Sequence, residues 1–219
     1  EYFLQLDKND LEKEFIYFAY VLNAPQAAGV RGGAIGQGAV LEFRRFKDEI
    51  ALFKKNTNFS NETDNNIGKA DLTNIMEAFL DSFEVVVEEG ESIVISVSDL
   101  FLSETLTSVS PNLPREYRDF VDLDLGRLDD DKTFINQVRN YPKNTAVEVT
   151  FGFSNPKPNQ RNAVYAVADA RFTSIVARHL FVEMPDDQFN TRVADQRVGY
   201  FSQRVTDLST YDNYPQRDL

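Results

Sequence analysis

The sequence contains no cysteine, no tryptophan and only one histidine among its 219 residues. The absence of cysteine excludes disulfides, thiolate zinc sites and cysteine nucleophiles. The lone histidine, His179, cannot supply the two or three imidazoles of a histidine metal site. No G-x-S-x-G motif offers a serine for a catalytic triad with it. We therefore predict that this chain alone is not an enzyme, carries no catalytic or metal-binding residues and needs no cofactor. The alternative left open is a carboxylate pair for glycoside hydrolysis, although nothing in the spacing of the 35 acidic residues singles one out.

Positive charge and long apolar runs are also scarce. The 23 Lys and Arg residues are outnumbered by 35 Asp and Glu residues, so the net charge is −12. This negative charge argues against binding to nucleic acid phosphates or to an anionic membrane surface. No apolar run reaches the roughly 18 residues of a membrane helix, so we expect no membrane insertion of this domain. Because Glu1 is not an initiator methionine, we expect a mature or excised piece of a longer polypeptide.

Residues that favour strands are abundant. The chain has 18 Phe and 9 Tyr, and aromatic or β-branched residues cluster in runs such as Phe15–Leu22 and Ala146–Phe153. The runs Ala39–Phe46 and Glu49–Lys55 predict a hairpin. We predict one α+β domain over residues 1–219, built mainly of antiparallel β-sheet (about ten strands) with two or three packed helices.

Three segments have features of helices. Asp71–Phe83 spaces its apolar residues three and four apart, which predicts an amphipathic helix packed on the sheet with Phe79 buried. Thr133–Tyr141 predicts a short helix that ends before a proline. The acidic run Asp129–Asp131 favours the positive end of that helix, with a cation site as the alternative. Asp99–Leu102 predicts a single helical turn.

The histidine and a glycine-rich loop each suggest a function at first sight. On a strand, His179 shares a face with Ile175, Ala177 and Phe181, which favours a packed, hydrogen-bonded side chain over a catalytic one. The loop at residues 23–37 lacks both the Gly-Lys-Ser/Thr of a phosphate loop and a G-x-G-x-x-G motif. We expect a surface loop there rather than a ligand-binding one.

The segment RVADQRVGYF, Arg192–Phe201, with Thr206-Asp207 just after it, is dense in arginine, glycine and aromatic residues. It resembles the D-P-R-V-G-Y-F signature near the end of the domain family DUF5117, although Gln196 stands where the family commonly has proline. Other stretches resemble family elements in the same order: EYFLQLDKNDLEKEFIYFAYV, GAVLEFRRFKDEIALFKKNTNF, SDLFL and RLDDDKTFINQVRNYPKNTAVEV. Together they span essentially the whole chain.

The resemblance implies a non-catalytic, N-terminal accessory domain of a bacterial zinc-dependent metalloprotease. In that family the zinc is bound by a separate downstream domain, through an H-E-x-x-H type motif that this chain lacks. The implied partner is therefore the downstream metalloprotease domain of the same polypeptide, and the implied location is the bacterial periplasm, the outer membrane surface or the outside of the cell. The alternative is a stand-alone module that binds peptide or glycan.

The same C-terminal segment supplies the candidate contact with that catalytic domain. Arginine and tyrosine are frequent anchors of protein interfaces, and the segment lies close in sequence to where the protease domain should begin. The alternative is a final strand whose charges pair locally on the domain surface. The candidate interdomain residues are Arg192, Asp195, Arg197, Tyr200 and Phe201.

Overall fold

A computed structural model describes residues 1–36, 38–60, 75–110, 121–158, 165–185, 197, 203–207 and 215–218. Within these residues the chain forms thirteen strands in two sheets. In chain order the strands are β1 (Phe3–Asp7), β2 (Glu14–Asn23), β3 (Ala39–Phe46), β4 (Glu49–Lys54), β5 (Phe59–Ser60), β6 (Ala78–Glu89), β7 (Ser92–Ser96), β8 (Arg127–Leu128), β9 (Phe134–Tyr141), β10 (Asn144–Ser154), β11 (Phe172–Glu183), β12 (Gln203–Asp207) and β13 (Pro215–Asp218).

The larger sheet has ten strands in the order β1-β7-β6-β4-β3-β2-β11-β10, after which β8 and β9 share the far side of β10. Every pairing in it is antiparallel, as the short connections predict. The smaller sheet has the order β13-β12-β5, and its β12–β5 pair is parallel. The prediction of a mainly antiparallel sheet of about ten strands is confirmed.

The longest pairing joins β10 and β11 in register over eleven residue pairs, from Asn144↔Val182 to Ser154↔Phe172. Alternate residues of both strands point to one buried face, among them Val149, Phe151 and Ile175, which are fully buried. Strand β2 pairs with the other side of β11 and adds Tyr17 to the same face. The core therefore lies on one side of the larger sheet.

Helical structure is sparser than the predicted two or three packed helices. Among the described residues there is one α-helix, α1 (Ser98–Leu102), which confirms the turn predicted at Asp99–Leu102, and there are a few 3-10 turns. Leu100 and Phe101 of α1 are buried in the core. No helix in this part of the chain is long and apolar enough to cross a membrane.

The predicted helix Asp71–Phe83 is wrong where it can be compared. Residues 71–74 lie outside the described residues, and Ala78–Glu89 is strand β6. The pairing of β6 with β4 shifts register between Leu52 and Phe53, which makes Leu80 the extra residue of a β-bulge. Leu80 and Phe83 consequently both pack against the core although they are three residues apart. The bulge thus produced the spacing that resembled a helix.

The predicted helix Thr133–Tyr141 is wrong for the same physical reason. The segment is strand β9, and its register against β10 shifts at Asn136. Ile135 lies opposite Val149 and Val138 lies opposite Val147, so two residues three apart face the same side. The acidic run before it forms a 3-10 turn, Asp130–Lys132, instead of the first turn of an α-helix.

Loop segments close over the core. The 3-10 turn Gln26–Ala28 places Ala28 in the core, where it is fully buried. The Ala27 carbonyl accepts hydrogen bonds from the backbone N–H groups of Asp122 and Leu123 at 2.9 and 3.0 Å. Leu123 and Leu125 are buried, and their segment is a loop docked on another loop.

Phe79 and Phe83 test this fold because both belong to β6 but face different environments. Phe83 is 5% exposed, whereas Phe79 is 53% exposed and contacts the rings of Phe46 and Phe53. We predict that Phe83→Ala lowers the free energy of unfolding by about 3–5 kcal/mol. Phe79→Ala should cost about 1 kcal/mol, the scale of exposed aromatic contacts. Urea unfolding of the two variants measures both values, and equal losses would contradict the strand assignment.

Candidate functional site

The two ends of the larger sheet meet at one cleft, which we call the open-end cleft. It is lined by Leu4 and Leu6 from β1, by the Tyr141–Thr145 turn between β9 and β10, by Leu100 and Phe101 of α1, and by the facing ends of β2, β3 and β11. Because β1 and β9 stand at opposite edges of the sheet, the sheet must curl strongly to bring them together. The cleft has a volume of about 490 Å³, within the range of small-molecule and side-chain binding sites.

The floor of the open-end cleft is aromatic. Phe15 stacks on Phe43 with ring centroids 5.4 Å apart, and it packs against Phe181 at 5.9 Å. Phe101 meets Phe181 edge to face at 5.8 Å. Rings in such offset and edge-on arrangements stabilise one another beyond the area they bury. The floor is therefore a rigid apolar surface that favours an apolar side chain over a polar or charged one.

His179 lies directly beneath this floor and is fully buried. Its Nδ1 is 2.9 Å from the hydroxyl of Tyr17, and its ring contacts those of Phe101 and Phe151. Its Nε2 has no hydrogen-bond partner in the part of the chain that the structure describes. Burial lowers the pKa of His179 to about 4, so the ring is neutral near pH 7. The prediction of a packed, hydrogen-bonded histidine is confirmed.

Charged side chains surround the mouth of the open-end cleft. Three are acidic, Asp10, Glu14 and Glu183, and two are basic, Lys13 and Lys143. Lys13 is engaged by Asp10 at 2.9 Å, and this hydrogen bond, with a smaller contribution from Glu183, raises the pKa of Lys13. Glu14 is 3.6 Å from Lys55 of a neighbouring ion network, so the charges around the mouth balance above an apolar floor.

A second cavity, of about 890 Å³, lies at the acidic turn between β8 and β9 and is lined mostly by polar residues. Asp129 accepts hydrogen bonds from Lys132 and Ser154, and the hydrogen bond from Lys132 lowers the pKa of Asp129. Within the described residues no group of three or more His, Cys, Asp and Glu side chains could hold a metal ion. Residues 130 and 131 of the acidic run belong to a 3-10 turn, and Asp129 accepts the hydrogen bond from Lys132 of that turn.

An ion network lies on the opposite face of the sheet. Arg44 donates hydrogen bonds to Glu42 and Glu77, and Lys55 is 2.6 Å from Glu77 and 3.2 Å from Glu42. The hydrogen bonds from Arg44 lower the pKa of Glu77 to about 2. Arg44 also stacks on the ring of Phe53 at 4.7 Å. Lys55 is also 3.6 Å from Glu14, so two cations engage three carboxylates here, which indicates a structural role for this network and not a binding site.

Comparison of the sequence with known protein families identifies the family of this chain. The sequence matches the family described as Domain of unknown function (DUF5117) over residues 32–218. The chain belongs to the DUF5117 family. No curated protein and no solved structure matched it. The family membership inferred from the residue pattern is confirmed.

Most of the predicted interdomain residues of this DUF5117 domain cannot be compared with the structure. Arg192, Asp195, Tyr200 and Phe201 lie outside the described residues, while Arg197 lies in a solvent-exposed turn. Their role in contacting a catalytic domain stays a prediction.

The open-end cleft was not anticipated from the sequence. Its lining residues come from six separate segments of the DUF5117 chain, and no local pattern links them. The one available signal was the inward alternation of Leu4 and Leu6, which indicated a half-buried strand but not a cleft.

The buried histidine predicts a pH-dependent stability. Its pKa is about 6.5 when unfolded and about 4 when folded, so protonation favours the unfolded chain. The stability that the lowered pKa of His179 contributes is complete above about pH 6.5 and is lost as the pH falls towards 4. Between pH 7.5 and pH 5 the loss attributable to His179 should be about 2 kcal/mol.

Two measurements check this expectation. Urea unfolding at several pH values should give a smaller decrease for His179→Gln than for the unmodified chain over this range. Because the chain has one histidine, its imidazole NMR signal can be titrated without ambiguity. A folded-state midpoint near pH 6.5 would contradict the burial described above.

Proposed function

We propose that this DUF5117 chain is a non-catalytic accessory domain of a bacterial zinc metalloprotease, and that it docks on the downstream catalytic part of the same polypeptide. On this proposal the protein works in the periplasm, at the outer membrane surface or outside the cell. The open-end cleft is the observation that carries the proposal, and we assign the docking contact to it. The predicted residues Arg192, Asp195, Arg197, Tyr200 and Phe201 would add to that contact.

The form of the cleft supports a docking role. An interface anchor needs a pocket that excludes water around a large apolar side chain, bordered by polar groups that fix its orientation. The floor formed by Phe15, Phe43 and Phe181 offers the apolar surface, and the charged mouth offers the border. A leucine or phenylalanine side chain from a partner would bury its full surface there, which contributes roughly 1.5–3 kcal/mol.

The surroundings of the cleft also support a role without catalysis. The only histidine of the chain is sealed beneath the floor, hydrogen-bonded to Tyr17 and neutral near pH 7. It does not line the cleft, so it has no route to a substrate bound there. On this proposal the catalytic zinc and its ligands belong to the downstream domain.

A stand-alone peptide-binding module is the second candidate, because the same apolar cleft would accept a side chain of a free peptide. The open reading frame beyond Leu219 distinguishes the two candidates. An H-E-x-x-H motif within a few hundred residues favours the accessory domain, and its absence from the complete gene favours the independent module.

The docking proposal predicts that filling the cleft changes the protease. Thr145 lines the cleft and is half-buried, so Thr145→Trp should occupy it and displace the anchor. We expect peptide hydrolysis by the full-length protein to change about tenfold, the consequence of losing one interface anchor. Val87→Trp, on the exposed part of β6 outside the cleft, is the matched control and should leave the rate unchanged.

Thermal melting of both variants shows whether each remains folded. If Thr145→Trp melts within a few degrees of the unmodified protein and hydrolyses peptide at the same rate, the cleft is not the docking contact and the proposal is wrong.

A further inference from the structure

Strand β9 presents a free edge. It pairs with β10 on one side, and within the described residues none of its backbone groups pairs with a strand on the other. Its side chains are unusually open for apolar residues: Phe134 is 54% exposed, Val138 47% and Tyr141 51%. A strand edge with exposed apolar side chains is a template on which another extended chain can pair.

The opposite edge of the sheet is a weaker template. Strand β1 has five residues to the eight of β9, and it turns Leu4 and Leu6 inward. Strand β9 carries two features that limit indiscriminate pairing, the bulge at Asn136 and the charge of Arg139. Beyond the bulge, residues 137–141 are in regular register with β10, so their outer edge is suited to a short added strand.

The free edge leads directly into the open-end cleft. Tyr141 is the last residue of β9 and also lines the cleft, together with Lys143 and Thr145 of the turn that follows. Side chains of an added strand project alternately to the two faces of the sheet. One of them, near Tyr141, would therefore project towards the apolar floor while the backbone of its strand pairs with β9.

The charge of the domain determines which residue belongs next to that anchor. Asp10 is already paired with Lys13, and Glu14 is 3.6 Å from Lys55, which leaves Glu183 and Lys143 as one acidic and one basic group at the mouth. The domain as a whole carries a net charge of −12. This overall charge favours a lysine or arginine beside the anchor, because opposite charges guide encounter and fix register.

We propose that the edge of β9 and the open-end cleft form one strand-addition site. Its occupant is an extended segment of the downstream part of the same polypeptide, with a large apolar residue that fills the cleft and a basic residue next to it. This inference rests on the proposed function and specifies how the docking contact is made.

Synthetic peptides test the site. Peptides of about 12 residues, which can span the edge of β9 at about 3.3 Å per residue, are tiled across the polypeptide beyond Leu219. Their binding to the purified chain is measured by fluorescence anisotropy. At least one tile with an apolar residue beside Lys or Arg should bind, and Thr145→Trp should weaken it about tenfold. Unrelated peptides of the same composition are the control. Equal binding by them would overturn the assignment to the same polypeptide.

Backbone methylation of the bound peptide tests strand pairing. In an antiparallel pair, alternate N–H groups point to the same neighbour. N-methylation of one alternating set of peptide residues should therefore abolish binding, and N-methylation of the other set should leave binding unchanged. Equal effects of methylating the two sets would overturn strand addition.

Variants of the two sheet edges locate the pairing. Val138→Lys on β9 should weaken peptide binding by about tenfold, whereas Gln5→Lys on β1 should leave it unchanged. If Gln5→Lys weakens binding and Val138→Lys does not, the peptide pairs with β1 and the assignment to β9 is wrong.

The outcomes separate this inference from the function on which it rests. If no tile binds while Thr145→Trp still alters peptide hydrolysis by the full-length protein, docking stands and strand addition is wrong. If a tile binds with the methylation pattern described but hydrolysis is unaffected by Thr145→Trp, the site exists and the accessory role is wrong.

Discussion

The antiparallel pairing of β2, β11 and β10 is the constraint on which the rest of this structure depends. It pairs Tyr17 with Phe181, and so joins two segments that lie far apart in the sequence. The aromatic rings that project from this face, with His179 among them, leave space for few alternative packings. The open-end cleft exists because the same rings form its floor.

The burial of His179 beside Tyr17 costs free energy. One nitrogen of the imidazole is satisfied by the tyrosine hydroxyl, and the other lies in apolar surroundings without a partner among the described residues. An unsatisfied buried polar atom destabilises the fold by about 1–3 kcal/mol. The surrounding rings must offset that cost, which is consistent with the concentration of aromatic contacts around His179.

The two wrong helix predictions have one cause. Leu80 in β6 and Asn136 in β9 are each the extra residue of a β-bulge. A bulge lengthens the local repeat of a strand from two residues to three, so apolar side chains on one face fall at a spacing typical of a helix. Where the strands are regular, as in β3, β4 and β10, their runs of strand-favouring residues predicted them correctly.

The sequence by itself determined the strand-rich class, the antiparallel connections, the buried face of His179 and membership of the DUF5117 family. These follow from local alternation, short turns and ordered motifs, all of which are encoded by neighbouring residues. Only the tertiary structure decided the bulges, the curl of the sheet and the open-end cleft. The cleft brings Leu6, Phe101 and Thr145 together from separate segments. Their proximity depends on the accumulated twist of ten strands, a quantity that no local stretch of sequence contains.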